Sequence, residues 1–398
     1  MKNFAVILVL LFSRLLCADS PKPLLILVSI DGFRWDYLDK FEVKNLKEFA
    51  AEGVKAVKLQ PVFPSITFPN HYSIVTGLYS ESHGIVGNQM YDPKDSSHFS
   101  LGDSNSVGQS KWWEGEPIWV TAEKQKVKTA TMFWVGSEAE IGGIRPSFWM
   151  KYDDHVPAID RIKKILEWID LPVDGRPEFV TLYFDSVDSA GHKAGPESAE
   201  VKDAALNIDS AIGALKKGLM DRGLWDTSHI IVVSDHGMAE VLARHHMQLP
   251  NISENEANIL GKGAFVQIWP KRGKEKKVIQ QLSKLRHGTV IQKSKIPINF
   301  RYSKHSRIAP IILVADEGWY FEKEKRAKQG TMGAHGYAHT LDSMQGIFLA
   351  RGPQLKKGFQ FEKALNIDIY EMMCHILGLK PAANDGKYER ISSVFLIP

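Results

Sequence analysis

The sequence predicts an α/β protein with a mostly parallel central sheet, helices on both faces and a small α+β insertion. Three observations predict it. Short apolar runs at residues 24–30, 179–184 and 230–233 each end in acidic residues. Runs of that length without polar alternation read as strands buried on both faces. Helical patterns at residues 45–52, 159–169 and 199–219 lie between or beside them. Strands alternating with helices imply a parallel sheet covered on both sides.

Taken in order, the chain begins with an export signal. Lys2 supplies a positive charge, and residues 4–12 form an apolar run too short to span a bilayer as a mature helix. Cleavage after Ala18 makes residues 1–18 the signal peptide and leaves no transmembrane anchor. Cys17 offers lipoprotein anchoring as an alternative, for which the preceding Leu16 is a poor residue. Loss of Cys17 leaves Cys374 without a partner for an intramolecular disulfide, and the apolar helical pattern of residues 369–377 reads it as a buried thiol. An exported chain without disulfides suits a bacterial periplasm, or bacterial secretion, better than an animal cell surface. In that setting the glycosylation triplet Asn251-Ile252-Ser253 is idle.

The 398 residues are 44% hydrophobic, enough for a real core. Its 50 basic side chains face 46 acidic ones, for a net charge of +4. So small an excess argues against a dedicated nucleic-acid-binding surface. Residues 19–260 and 321–398 form one catalytic domain. Residues 261–320 differ: 264–269 and 311–315 read as strands and 276–285 as a helix, a small insertion near the site. The basic run 271–277 reads as a solvated loop.

In open α/β sheets ligands sit beyond the carboxyl ends of the strands. Asp31 follows the first apolar run, Asp185 and Asp188 the second, and Asp235 and His236 the third. Asp188 and His192 are four apart, on one side of a helical turn. His335 precedes Gly336 at another turn. Singly, each such aspartate reads equally as a helix cap; together, three Asp and three His make a metal-ligand set. Mixed carboxylate and imidazole ligation suits zinc better than magnesium. Two ions about 4 Å apart stabilise the charge that builds on the attacking and leaving oxygens of a phosphodiester.

The segment from Pro64 to Tyr72 adds a nucleophile. Pro69 fits the first turn of a helix running through Val75, with Thr67 just before its N-terminus, where backbone N–H groups and the helix dipole favour phosphate. Two readings of Thr67 stand at this point. It is a side-chain cap, or it is a hydroxyl activated by a metal ion.

Residues 67–77, followed by Leu78-Tyr79-Ser80-Glu81-Ser82-His83-Gly84-Ile85-Val86-Gly87-Asn88, closely resemble the nucleotide pyrophosphatase/phosphodiesterase family of the alkaline phosphatase superfamily. Asp31-Gly32-Phe33-Arg34, the stretch from Trp112 to Trp119, Asp188-Ser189-Ala190-Gly191-His192, Ser234-Asp235-His236-Gly237-Met238 and Ala334-His335-Gly336-Tyr337 continue the resemblance in family order. It implies an alkaline-phosphatase-like fold and two zinc ions per chain. Asp31, Thr67, Asp235 and His236 match the ligands of one zinc, and Asp188, His192 and His335 those of the other. Thr67 matches a nucleophile that forms a covalent threonyl-phosphate, and Asn88 a donor to a phosphate oxygen. Phe68 and Tyr183 match aromatic residues that sandwich a nucleobase, with core packing as the other reading of both.

The implied reaction is hydrolysis of nucleotide phosphodiester or pyrophosphate bonds to nucleoside 5′-monophosphates, with a small nucleotide as the partner molecule. A phospholipid or glycerophosphodiester hydrolase of the same family is the alternative. An inactive zinc- and nucleotide-binding protein is a second, which loss of Thr67 or a ligand would mark; none is lost. One departure stands out. After Gly336-Tyr337 many relatives carry Asp-Asn where this chain has Ala338-His339, a change expected to bear on the support of His335. His245, His246 and His339 are read as non-ligands.

Overall fold

The protein is described by a computed structural model over residues 23–323 and 330–397. The proposed export signal and Cys17 lie outside these residues.

An eight-stranded sheet forms the centre of the fold. Its strands are β1 (Leu25–Ile30), β2 (Val54–Gln60), β3 (Thr129–Met132), β4 (Phe148–Trp149), β5 (Phe179–Phe184), β6 (His229–Val233), β7 (Gly346–Arg351) and β8 (Phe359–Leu365), arranged β8-β2-β7-β6-β1-β5-β3-β4. Within it only β7 runs against the others. Every residue of β1, β6 and β7 is buried. That burial on both faces is why these strands read as unbroken apolar runs rather than alternating ones.

Helices cover both faces. They include α1 (Lys44–Glu52), α2 (Thr67–Thr76), α3 (Ala158–Ile169), α4 (Ser186–Ala194) and α5 (Ala199–Met220). Helix α5 starts where the Ser198 side chain accepts the Val201 N–H, satisfying one orphan donor of its first turn. Val201, Ala205, Ile208, Ile212, Leu215 and Leu219 then recur at spacings of three and four and are buried on one face. Leu25 and Leu27 point into one apolar layer and Ile26, Val28 and Ile30 into the other, so alternate residues of one strand feed the two cores.

A separate antiparallel sheet of four strands, ordered Ala257–Lys262, Phe265–Pro270, Ile311–Ala315 and Gly288–Gln292, carries the helix Glu275–Leu282 and a third apolar cluster. The basic run is half helix, because residues from Glu275 onward bury Val278 and Leu282. The chain then returns through Met332–Ala334, which pairs with Ala239–Val241 and brings His335 beside His192. Cys374 is buried in the helix Ile369–Leu377, and burial pushes its thiol up to about 12. No helix among the described residues is long and apolar enough to cross a membrane.

Candidate active site

Three adjacent strands, β6, β1 and β5, end at one level. Their pairing puts Ile30 beside Phe184 and Ser29 beside Val233. Asp31, Asp185 and Asp235 therefore emerge together. Gly32 follows with φ +68°, and a Cβ there would lie 2.9 Å from the backbone of Asp188. Glycine thus lets the β1 turn pass against α4. Helix α4 carries Asp188 and His192 one turn apart, as their spacing requires.

Thr67 is the first residue of α2 rather than its cap. The cap position is Ile66, in extended conformation and without a side-chain bond. Thr67 Oγ1 lies 3.4 Å from His236 Nε2. The Phe68 N–H donates to Asn88 Oδ1 at 2.9 Å. A backbone N–H only donates, so this bond fixes the Asn88 amide and leaves its NH₂ free for an anion.

The three imidazoles are oriented alike. His192 Nδ1 lies 3.0 Å from the Gly333 carbonyl, His335 Nδ1 3.0 Å from the Ser65 carbonyl and His236 Nδ1 2.9 Å from the Gly237 carbonyl. A carbonyl only accepts, so each Nδ1 carries a hydrogen, and the neutral form of each ring presents its lone pair at Nε2. Two of those lone pairs meet: His335 Nε2 and His192 Nε2 are 3.0 Å apart. Burial, and then the facing His236 and His192, hold His335 well below the ordinary imidazole range, so it stays neutral.

The carboxylates converge on the same space. Asp235 Oδ2 is 3.0 Å from His236 Nε2, and Asp188 Oδ1 and Oδ2 are 3.6 and 3.5 Å from His335 and His192 Nε2. Asp31 Oδ1, Asp188 Oδ1 and Asp235 Oδ2 are buried without a hydrogen-bond donor among the described residues. Burial, then the charges of Asp235 and Asp188, pushes the Asp31 carboxyl well above the usual carboxylate range. Burial pushes the His236 imidazole down, but the Asp235 carboxylate outweighs it and leaves His236 above its ordinary range.

Lone pairs facing lone pairs and carboxylates facing carboxylates need positive charge between them. A proton relieves one such contact; divalent cations satisfy the whole set. The donor groups Asp188–His192–His335 and Asp31–Asp188–His236 each have their ligand atoms within 4.8 Å of one another. The residues therefore fit bound metal. Nitrogen and carboxylate donors, with a backbone carbonyl accepting from every Nδ1–H, are the arrangement metal-ligating histidines adopt.

The set opens into a cleft of about 560 Å³. Thr67, Phe68, Asn88 and Tyr183 line it, together with Asp31, Asp188, His192 and His335.

A family model described as type I phosphodiesterase / nucleotide pyrophosphatase matches residues 25–338. Bovine bis(5′-adenosyl)-triphosphatase ENPP4 (Bos taurus) is 40% identical, over 96% of this chain and 85% of that protein. The chain belongs to the nucleotide pyrophosphatase/phosphodiesterase family. It is a hydrolase of that family. The venom phosphodiesterase CdcPDE of the rattlesnake Crotalus durissus collilineatus is 36% identical over 94% of this chain, which spans 46% of that longer protein. Murine ectonucleotide pyrophosphatase/phosphodiesterase 5, solved as an inactive threonine-to-alanine form in complex with AMP, superposes with a TM-score of 0.90 at 33% identity, over 94% of this chain and 100% of that one. The fold is alkaline-phosphatase-like, as the sequence leads one to expect.

Within this family member, the structure adds residues that the sequence reading missed. His71 is fully buried on α2. Its Nδ1 faces the Thr67 carbonyl at 3.0 Å and Asp235 Oδ2 at 3.3 Å, and its Nε2 lies 2.8 Å from Ser29 Oγ. Both ring nitrogens are thus engaged, and His71 ties the first turn of α2 to β1 while lying against Asp235. Tyr183 has a partner its sequence did not disclose: its hydroxyl donates to Asp31 Oδ2 at 2.7 Å. The neighbouring Tyr152 ring, 5.9 Å from Tyr183 between centroids, is 41% exposed and lines the cleft. Only its position after an unpatterned loop marks it in the sequence.

The Ala338-His339 departure lies off the site. His339 packs edge-on against Phe63 and Phe300, and Gln345 Nε2 donates to its carbonyl. His335 takes its support from Ser65 instead. His245 stacks on Trp319 and His246 packs against Tyr320, away from the ligand groups.

Proposed function

We propose that this chain hydrolyses nucleotide phosphodiester and pyrophosphate bonds to nucleoside 5′-monophosphates through a threonyl-phosphate on Thr67. One observation carries the reading: His nitrogens and Asp oxygens converge beside a hydroxyl at a helix N-terminus. Asp31, Thr67, Asp235 and His236 would hold one zinc ion and Asp188, His192 and His335 a second. When bound, the ions lower the pKa of the Thr67 hydroxyl and neutralise charge building on the phosphate oxygens.

The protein's own groups do the rest. The Thr67 oxygen forms a bond to phosphorus as the leaving oxygen departs from the opposite face. The Asn88 NH₂ donates to a non-bridging oxygen, held by the Phe68 N–H. Water then displaces the Thr67 oxygen, releasing the nucleoside monophosphate and restoring the hydroxyl. His71 holds Asp235 and the Thr67 backbone in register through both displacements.

The base rests against the aromatic end of the cleft. The family resemblance implies Phe68 and Tyr183 for it. The Tyr183 hydroxyl holds Asp31 and its ring packs at steep angles against His71 and Tyr152, whereas Tyr152 is exposed on the cleft wall; we therefore assign the stacking faces to Phe68 and Tyr152, with Tyr183 positioning Asp31. The AMP bound by murine ectonucleotide pyrophosphatase/phosphodiesterase 5, inactive as a threonine-to-alanine form, supports a nucleotide ligand and a threonine nucleophile here. Export belongs to the proposal as well. The relatives named above are animal proteins, one of them from venom, so the bacterial compartment rests on the cysteine count alone.

Product analysis on ATP, NAD, a UDP-sugar and glycerophosphocholine with zinc-loaded protein tests the assignment. AMP from ATP and NAD, and UMP from the UDP-sugar, is the expected result. Hydrolysis of glycerophosphocholine alone would instead make it a lipid-type phosphodiesterase. Phe68→Ala and Tyr152→Ala should each raise KM for ATP by about tenfold, from a stacking loss of roughly 1–3 kcal/mol. The KM for bis(p-nitrophenyl) phosphate should change far less. Equal changes on both substrates would mean that the rings only pack.

A further inference from the structure

We infer that a side cavity on the His192–His335 flank of the cleft is a subsite for an anionic, phosphorylated leaving group, and that Lys262 is its charge-recognising residue. The inference rests on the nucleotidyl-hydrolase reading and specifies its leaving group. The cavity, about 230 Å³, opens off the catalytic cleft and shares Asn88, Leu101, His192 and His335 with it. A substrate whose phosphorus sits at Thr67 therefore has two arms to fill, one on each side.

The arms differ in charge. The aromatic arm carries Glu138, Asp153 and Asp154 in its wall against one lysine, Lys151. The side cavity is lined by no carboxylate among the described residues, and Lys262 is its one ammonium group. Lys262 is exposed and makes no ion pair among the described residues. A pyrophosphate leaving group is repelled from the first arm and attracted to the second. The uncharged base and sugar take the aromatic arm.

Lys262 is also held in place by its backbone. It ends the strand Ala257–Lys262 and pairs with Phe265 across a two-residue turn. The turn starts at Gly263, with φ +84°, as a tight hairpin of this kind requires. A Cβ on Gly263 would lie 2.7 Å from the Tyr320 ring, so the turn sits directly on that side chain. The Gly263 N–H donates to the Phe321 carbonyl and the Gly261 N–H to Gln89 Oε1, tying the hairpin to the strand beside Asn88. The flexible part is therefore only the lysine stem.

Two substrates that transfer the same thymidylyl group isolate the leaving group. They are thymidine 5′-triphosphate, which releases pyrophosphate, and p-nitrophenyl thymidine 5′-monophosphate, which releases a nitrophenolate. Lys262→Glu should lower kcat/KM for the triphosphate by at least about tenfold and change the nitrophenyl ester by less than about twofold, since charge complementarity acts only on the charged partner. Lys262→Arg should keep the preference. Inhibition by added pyrophosphate should weaken in parallel with Lys262→Glu. Equal losses on both substrates, or no loss on the triphosphate, would overturn the subsite. So would a wild type that cleaves the nitrophenyl ester and spares the triphosphate, while the nucleotidyl-hydrolase reading survives. A wild type that cleaves neither would overturn that reading and the subsite with it. An unchanged thermal midpoint for Lys262→Glu excludes misfolding as the cause.

Discussion

Thr67→Ala should reduce turnover by roughly four to six orders of magnitude, the range for losing a covalent nucleophile. The protein should stay folded. Thr67 is the first residue of α2, and the cap position belongs to Ile66, which makes no side-chain bond. A lost helix cap costs about 1 kcal/mol and would lower the thermal midpoint while sparing turnover. The structure predicts the opposite pattern: a large rate loss with almost no change in stability. Thr67→Ser should keep partial activity, because the oxygen remains while the methyl that restricts its rotamers is gone. Near-wild-type turnover by Thr67→Ala would mean direct attack by water.

Asp235→Ala should have the second largest effect. Asp235 accepts the Gly32 N–H at 3.2 Å and lies against both His236 and His71. Removing it unties the β1 turn from the β6 turn and takes a ligand from the proposed ion beside Thr67. Turnover should fall by about 10³ or more, because the charge on the attacking oxygen loses its main stabiliser. Elemental analysis should find two zinc ions per wild-type chain and close to one in Asp235→Ala. Asp188→Ala should lose mainly the other ion, since Asp188 faces His192 and His335. Zinc should raise the thermal midpoint of the wild type more than that of either variant, because only the native state assembles the donors. Folded, zinc-replete protein holding less than one ion per chain would contradict the two-metal reading.

The central strands were legible because they are buried on both faces, which leaves short unbroken apolar runs. The ends of β1, β5 and β6 then located the acidic residues, since an aspartate follows each run at once or, after β6, one residue later. Asp188 and His192 were legible as a helical pair from spacing alone. Other parts were not. The engagement of Tyr183 with Asp31 joins residues 152 apart and depends on strand register, which no local pattern records. His71 lies one helical turn after the nucleophile, yet its buried partners Ser29 and Asp235 come from β1 and from the turn after β6. The position of Thr67 shifted by one residue from just before α2 to its first turn, because Ile66 takes the extended cap conformation. The expected influence of Ala338-His339 on His335 did not follow either. The His339 ring packs against Phe63 and Phe300, and the Ser65 carbonyl, far off in sequence, supports the imidazole of His335.

The covalent step itself is the most direct test. Zinc-loaded wild type is mixed with α-³²P-labelled ATP, quenched in acid within the first turnovers, digested and mapped. Label is expected on the peptide containing Thr67, as an adenylyl ester that Thr67→Ala does not form. Label that accumulates only as free AMP, with none on the protein at any quench time, would contradict it.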